Sequence, residues 1–323
     1  MSDSPVVVTG GCGFIGSHLV RALRTNDTPV IVLDDFSTGS LSNLDLSDTG
    51  VRVENFELGM DSTSRLRDLI QGSQSIFHLA SQKHDPGSLA PASMWNTNVA
   101  GTRELLEAAL DVGVTKVVFT SSVYAYGRTS GAPMIETEEP NPHTTYGISK
   151  LCAERECYRI AQMAPEIAIT CARLFFTYGP RQYCGLGNKS VIVRNFERML
   201  AGERPVICGD GLQAFDYIYV DDVVNALLAI MDQQKEFGIV NVGSGVATTI
   251  KNLTDRMLRV SGKQYYGGGG DINTATDDWT VGTYRVANIE KLEKEFNIYP
   301  STSLYTGLYQ TWKWMKERQA VTA

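Results

Sequence analysis

A short apolar run, Val6–Thr9, passes straight into Gly10-Gly11-Cys12-Gly13-Phe14-Ile15-Gly16 and then into an amphipathic stretch. A strand, a glycine turn and a helix in that order leave few folds open. Glycines at 10, 13 and 16 permit a tight turn, close approach of backbone to a diphosphate, and close packing of helix on strand. The free N–H groups at the helix start, with the helix dipole, then face an anion. Glycine-rich loops are common, so the neighbours decide. The next predicted strand, Val30–Leu33, runs into Asp34 and Asp35, near the ~20-residue spacing at which a carboxylate meets an adenosine ribose. Ser37, Thr38, Gly39 and Ser40 follow, with no arginine for a 2′-phosphate, which favours NAD over NADP. The competing reading of Asp34 is a turn cap.

Downstream the alternation continues. Predicted strands at Val51–Asn55, Ser75–Leu79, Val117–Ser121 and Ile167–Leu174 are separated by helical patterns at Ser64–Ile70, Met94–Val112 and Tyr146–Met163, after a first helix at Gly16–Arg24. Near-continuous apolar strands suit burial on both faces, so the fold class is α/β with a doubly wound parallel sheet of Rossmann type. After Phe175 the rhythm breaks. A Gly/Pro-rich stretch, Tyr178–Asn188, leads to a helix-like Val191–Ala201. Predicted strands Tyr217–Val220 and Ile239–Val242 then flank a helical Asp221–Gln233. Gly267–Gly270 reads as a flexible loop, and a last helix lies near Leu304–Glu317. We therefore expect a cofactor domain from residues 1–174 plus about 216–246. A smaller mixed α/β substrate domain would take about 175–215 plus 247–323.

Composition removes several classes of function. The 323 residues hold 29 Lys+Arg against 36 Asp+Glu, a net charge of −7, with no basic block to track nucleic-acid phosphates. No run approaches ~18 apolar residues, so no membrane span is expected. The start, MSDSP, has an acid where a signal peptide carries basic residues, and a cytoplasmic location is expected. The six cysteines form no CxxC pair and have no histidine at ligand spacing, so neither a disulfide framework nor a metal site is predicted.

The chemistry concentrates in two places. Tyr146 and Lys150 stand four apart on one helix face, and a cation held there favours the phenolate. Upstream, Thr120-Ser121-Ser122 ends the fifth strand at the carboxyl edge of the sheet, where a hydroxyl can hold a substrate oxygen. A lone YxxxK is most often a surface pair. Together with the glycine turn and the acid after the second strand, it points to redox catalysis.

In these segments the chain resembles the extended short-chain dehydrogenase/reductases, in their NAD-dependent sugar-nucleotide epimerase/dehydratase branch (UDP-glucose 4-epimerase-like). The segments are TGGCGFIG (Thr9–Gly16), LDDFSTG (Leu33–Gly39), FHLAS (Phe77–Ser81), NTNVAGT (Asn96–Thr102), TSSVYAYG (Thr120–Gly127), YGISK (Tyr146–Lys150), FFTYGPRQ (Phe175–Gln182) and GDGLQAFDYIYVDD (Gly209–Asp222). The resemblance implies that Asp34 and Asp35 hold the ribose, and that Leu79, Ala80, Lys83, Asn98 and Ser121 line the NAD site. It implies that Ser122 binds the substrate hydroxyl, Tyr146 is the acid/base, Lys150 binds the nicotinamide ribose and tunes Tyr146, and Phe175 sits over the nicotinamide. The family's GDxxD reads ELGMD at Glu57–Asp61, which leaves the adenine contact unassigned.

Family dehydratases carry an Asp-Glu pair where this chain has Val123 and Tyr124, so the resemblance implies an epimerase working through a keto intermediate. A dehydrogenase or ketoreductase uses the same Ser-Tyr-Lys set. The diphosphate grip departs from the family: its asparagine is Phe176, its arginine is Phe215, and its RxGD motif falls at Asp277-Asp278-Trp279. Either Arg181, Lys189 and Arg194 rebuild that grip, or the substrate is a sugar, cyclitol or nucleoside without a diphosphate. A non-catalytic NAD-binding protein is the remaining alternative. The resemblance also implies a homodimer through the helices at Met94–Val112 and Tyr146–Met163.

Overall fold

The structure, a computed structural model, describes residues 4–83, 91–127, 131–182, 189–263, 271–273 and 282–322. Strand β1 (Val6–Thr9) delivers the chain to the glycine turn, and α1 (Phe14–Thr25) leaves it. Then come β2 (Val30–Asp34), β3 (Val51–Asn55), α2 (Thr63–Ile70) and β4 (Ser75–His78). Helices α3 (Pro91–Trp95) and α4 (Gly101–Asp111) are joined by a widened π-helical turn, Asn96–Ala100. After them lie β5 (Lys116–Ser122), α5 (Thr145–Met163) and β6 (Ala168–Leu174). Together with β10 (Gly238–Val242), these strands form a seven-stranded parallel sheet in the order β10-β6-β5-β4-β1-β2-β3. The order reverses beside β1, so a crevice opens at the carboxyl ends of β1 and β4.

The remaining elements build a second layer. Strand β7 (Phe176–Tyr178), α6 (Val191–Leu200), β8 (Val206–Cys208), β9 (Ala214–Tyr219) and α7 (Val220–Gln233) precede β10. Behind it come β11 (Ala247–Thr249), α8 (Ile250–Ser261), β12 (Asp271–Asn273), β13 (Tyr284–Arg285), α9 (Glu290–Phe296) and α10 (Leu304–Thr322). Strands β11, β9 and β13 make a small sheet on which β7 also pairs with β9, while β12 pairs with β8.

Both faces of the large sheet are buried, as its apolar strands require. Val7, Ile76, Val117 and Ile169 pack toward one layer with Leu105, Leu106 and Ile160 of α4 and α5. Val8, Val32, Phe77 and Val118 pack toward the other, against α1 and α7. A third core, with Phe196, Phe215, Met257 and Trp312, belongs to the small sheet and its helices. Asp216 ties the layers together. Buried in β9, it accepts from the Ser244 amide and hydroxyl (2.7 and 2.6 Å), the Gly245 amide (2.9 Å) and the Ala287 amide (3.1 Å).

Two expectations need correction. The single helix expected over 94–112 is broken by the π turn. There the Asn98 side chain holds the backbone of Gln82 and the Ser149 hydroxyl, and a turn widened around it accommodates those bonds. The strand expected at Tyr217–Val220 begins three residues earlier, and Val220 already opens α7. The Gly267–Gly270 run and Asp277-Asp278-Trp279 lie outside the described residues.

Candidate active site

A cleft opens at the crevice. The predicted turn residues Gly10, Gly13, Phe14, Ile15 and Gly16 line it. So do Asp34, Asp35, Ser37, Thr38 and Gly39 after β2, and Leu79, Ala80 and Lys83 after β4. Gly10 has φ +69°, and a Cβ there would lie 2.8 Å from the Ala80 amide nitrogen; at Gly16 it would run into the Gly10 carbonyl oxygen. Backbone therefore borders the cavity where side chains cannot fit.

The Asp34 carboxylate accepts from the Cys12 amide (2.8 Å) and the Phe36 amide (2.9 Å), bracing the glycine turn against β2. Burial nevertheless pushes its pKa up, against those two bonds. The bond to the Phe36 amide also makes Asp34 the turn cap of the competing reading, and Asp35 caps the following turn by accepting from the Ser37 amide and hydroxyl (2.9 and 2.7 Å). Several lining residues have no place in the sequence expectations for the cofactor, among them Phe56, Leu58 and Arg181. Phe56, just before the ELGMD segment, and Leu58 within it supply an apolar wall. Arg181, weighed as a substrate cation, faces this cleft instead, and its Nη1 is buried without a hydrogen-bond partner among the described residues.

The carboxyl end of β5 and the start of α5 bring together Ser122, Tyr146 and Lys150; Thr120 of β5 lines the cleft, and these three are not among its lining residues. Thr144 caps α5 by accepting from the Gly147 amide (3.0 Å), which sets Tyr146 on the first turn and Lys150 one turn later. The Lys150 ammonium is buried, donates to the Thr120 carbonyl (2.9 Å), and lies 5.9 Å from the Tyr146 ring centre. Burial drives the two groups apart: Lys150 is lowered to about 7 and Tyr146 is pushed up to about 12. The Ser122 and Ser81 hydroxyls pull Tyr146 back down. No carboxylate acts on Tyr146 among the described residues.

Tyr124 packs edge-on against Tyr146 with ring centres 5.9 Å apart. Tyr124 also meets Phe176 edge-on (6.3 Å), and Phe176 in turn packs edge-on against Phe215 with ring centres 4.7 Å apart. Arg285, absent from the sequence expectations, lies on β13 opposite Phe215, with its guanidinium 4.8 Å over the Tyr124 ring. Val123 and Phe175 pack with Tyr126 and Met134 in an apolar cluster. Lys189 is held by Glu197 (2.7 and 2.9 Å), and Arg194 is exposed.

Beneath the site lies a polar layer. Asn98 accepts from the Gln82 amide (2.8 Å) and Ser81 hydroxyl (3.1 Å) and donates to the Gln82 carbonyl and the Ser149 hydroxyl. The Ser121 hydroxyl turns away from the cleft and donates to Glu154 (2.5 Å), which forms a buried two-pronged ion pair with Arg173 (2.9 and 2.8 Å). His78 bridges the Thr9 and Thr102 hydroxyls (2.7 and 2.8 Å).

Comparison with known proteins adds a second line of observation. Residues 6–243 match the model of the NAD dependent epimerase/dehydratase family. The crystal structure of a UDP-glucose 4-epimerase from Thermotoga maritima with UDP-glucose is 31% identical, covers 98% of this chain and 99% of that one, and superposes with a TM-score of 0.88. A UDP-glucuronic acid 4-epimerase from Bacillus cereus, in complex with UDP-glucuronic acid and NAD, is 26% identical with a TM-score of 0.86, covering 97% and 99%. A dTDP-glucose 4,6-dehydratase of Streptomyces griseus is 28% identical over 98% of this chain and 95% of its own.

Proposed function

Because this chain belongs to the NAD-dependent epimerase/dehydratase family, we propose that it epimerises a nucleotide-activated sugar through a transient ketone. NAD is its cofactor, and the glycine cradle, the Asp34 carboxylate and the unpartnered Arg181 nitrogen fit that group. The turn and the start of α1 would hold the diphosphate with Arg181, Asp34 and Asp35 the adenosine ribose, and Lys150 the nicotinamide ribose. Bound there, NAD supplies the hydride acceptor for the first half of the reaction and the donor for the second.

The chain's own groups do the rest. The Ser122 hydroxyl holds the substrate hydroxyl beside Tyr146. Tyr146 removes its proton as the ketone forms and returns it once the sugar has turned its other face. The Lys150 ammonium, held by the Thr120 carbonyl, favours the phenolate that this step needs. We assign residues 1–174 plus about 216–246 to cofactor binding and the rest to the substrate, except that β9 pairs into the small sheet and α9 packs back on the large-sheet core, and propose a homodimer through the helices of 94–112 and 145–163.

One observation carries the choice of reaction: around Tyr146 stand Ser122, Ser81 and Tyr124, and no carboxylic acid among the described residues. Elimination of water needs a proton donor for the leaving hydroxyl. Tyr124 is a poor one, because burial raises its pKa. The test is NMR of the protein with NAD and UDP-glucose or UDP-glucuronic acid. The expected product is the C4 epimer in equilibrium with its substrate; a 4-keto-6-deoxy sugar or a decarboxylated pentose sinks the reading.

The edge-on Phe176–Phe215 pair favours a second reading. Phe215 is buried in the core of the small sheet in place of the family's arginine, and the cation beside it, Arg285 on the neighbouring strand, lies over the Tyr124 ring. A thermal-shift panel of nucleotide sugars, nucleosides and free sugars separates the two. At ~100 times its dissociation constant a ligand adds about 2.7 kcal/mol. A shift with unactivated ligands alone would establish the second reading.

A further inference from the structure

His18 lies on α1, one turn beyond the glycine loop, and is 4% exposed. Its Nδ1 is 3.0 Å from the Asp221 carboxylate at the start of α7, and its Nε2 is 3.1 Å from the Pro180 carbonyl. Both partners only accept hydrogen bonds. A neutral imidazole has one N–H to give, so both contacts are made only when both ring nitrogens carry protons. The Pro180 carbonyl belongs to the peptide that leads into Arg181. That residue sits at φ +66°, a conformation uncommon outside glycine, and its guanidinium lines the cofactor cleft.

We propose that His18 is a positioning residue: its imidazolium clamps Pro180 to α1 and α7 and so holds Arg181 against the diphosphate of the bound dinucleotide. The proposal rests on the reading of the cleft as the NAD site. Loss of the proton keeps the bond to Asp221 but sets the bare Nε2 lone pair against the Pro180 oxygen. The strap is then released. The charged and titratable groups around His18 are Asp221 on α7, Arg21 on α1 at 3.9 Å from Asp221, Arg181 on the strap, and Tyr219 at the end of β9; the Phe14 ring closes the remaining side at 6.1 Å. His18 in turn holds the Asp221 carboxyl below its usual range.

The experiment is NAD affinity by calorimetry from about pH 5 to 8, the range in which an imidazole changes charge. The wild-type chain is expected to weaken about ten-fold as the pH rises, the usual scale for one charge-assisted hydrogen bond. Asp221→Asn should bind as well as wild type at low pH and lose the slope. An amide can donate to Nδ1, so a neutral imidazole then satisfies both neighbours. Arg181→Met should weaken NAD by about ten- to a hundred-fold at the low end and also flatten the profile. A flat wild-type profile, or the same slope in Asp221→Asn, overturns the clamp alone. Failure of the wild type to bind NAD at any pH overturns the cofactor reading with it.

Discussion

Tyr146 and Lys150 show what one dry pocket does to two ions. Each alone is driven toward its neutral form, the tyrosine up to about 12 and the lysine down to about 7. Tyr146→Phe is expected to cut turnover by about 10²–10⁴-fold, the usual share of a general acid–base, while NAD binding by calorimetry stays intact. His78 gives a prediction about stability. Full burial, then the nearby Lys150 charge, lower its pKa from 6.5 to about 3. As the pH falls below 6.5 the unfolded chain takes up a proton that the folded chain refuses, so stability must fall between 6.5 and about 3. Urea unfolding at several pH values should show this slope, and His78→Gln should lack it; equal slopes contradict the assignment. The glycines, Asp34 and the YxxxK pair were legible because their signal is local. Arg181, Arg285 and His78 were not, since each acts through partners distant in sequence, and Lys189 and Ser121 looked available until their acidic partners appeared.

Helices and strands of the large sheet followed from sequence almost to the residue. Apolar runs buried on both faces leave little latitude. The small sheet was far less legible, because strands of two or three residues such as β7, β8 and β13 carry no alternation to read. Helix α8 had a readable signal, with Ile250, Leu253, Met257 and Val260 recurring at helical spacing. The π turn before α4 had none, since its cause is the set of contacts Asn98 makes with another loop and α5. At this scale the glycine turn is the sensitive joint between β1 and α1. Gly16→Ala forces a methyl onto the Gly10 carbonyl, so denaturant unfolding should record a loss of ~1–3 kcal/mol, as overpacking does. NAD titration should weaken in parallel; an unchanged affinity would show that the turn does not bear the cofactor.

At the scale of the whole molecule, the layers are joined by buried charge as well as by apolar cores. Glu154 and Arg173 lock α5 to β6 of the large sheet, and the Ser121 hydroxyl extends that lock to the residue beside Ser122. Glu154→Gln leaves a buried guanidinium half-paired. It should cost ~3–5 kcal/mol by urea unfolding, and a cost near zero would deny the pair its structural role.

Following the backbone from β6 to the end shows how the two sheets share one chain. It leaves the large sheet for β7, returns through α7 to β10, goes out again to β11, comes back as α9 and departs once more as α10. Neither half is thus a module that can be cut out and grafted. A laboratory recombinant joined at any single point in 175–300 would inherit strands of one parent and the helices that cover them from the other. New substrate preferences in this scaffold are best sought by exchanging side chains along β7, β9 and β13, with the thread of the backbone left as it is.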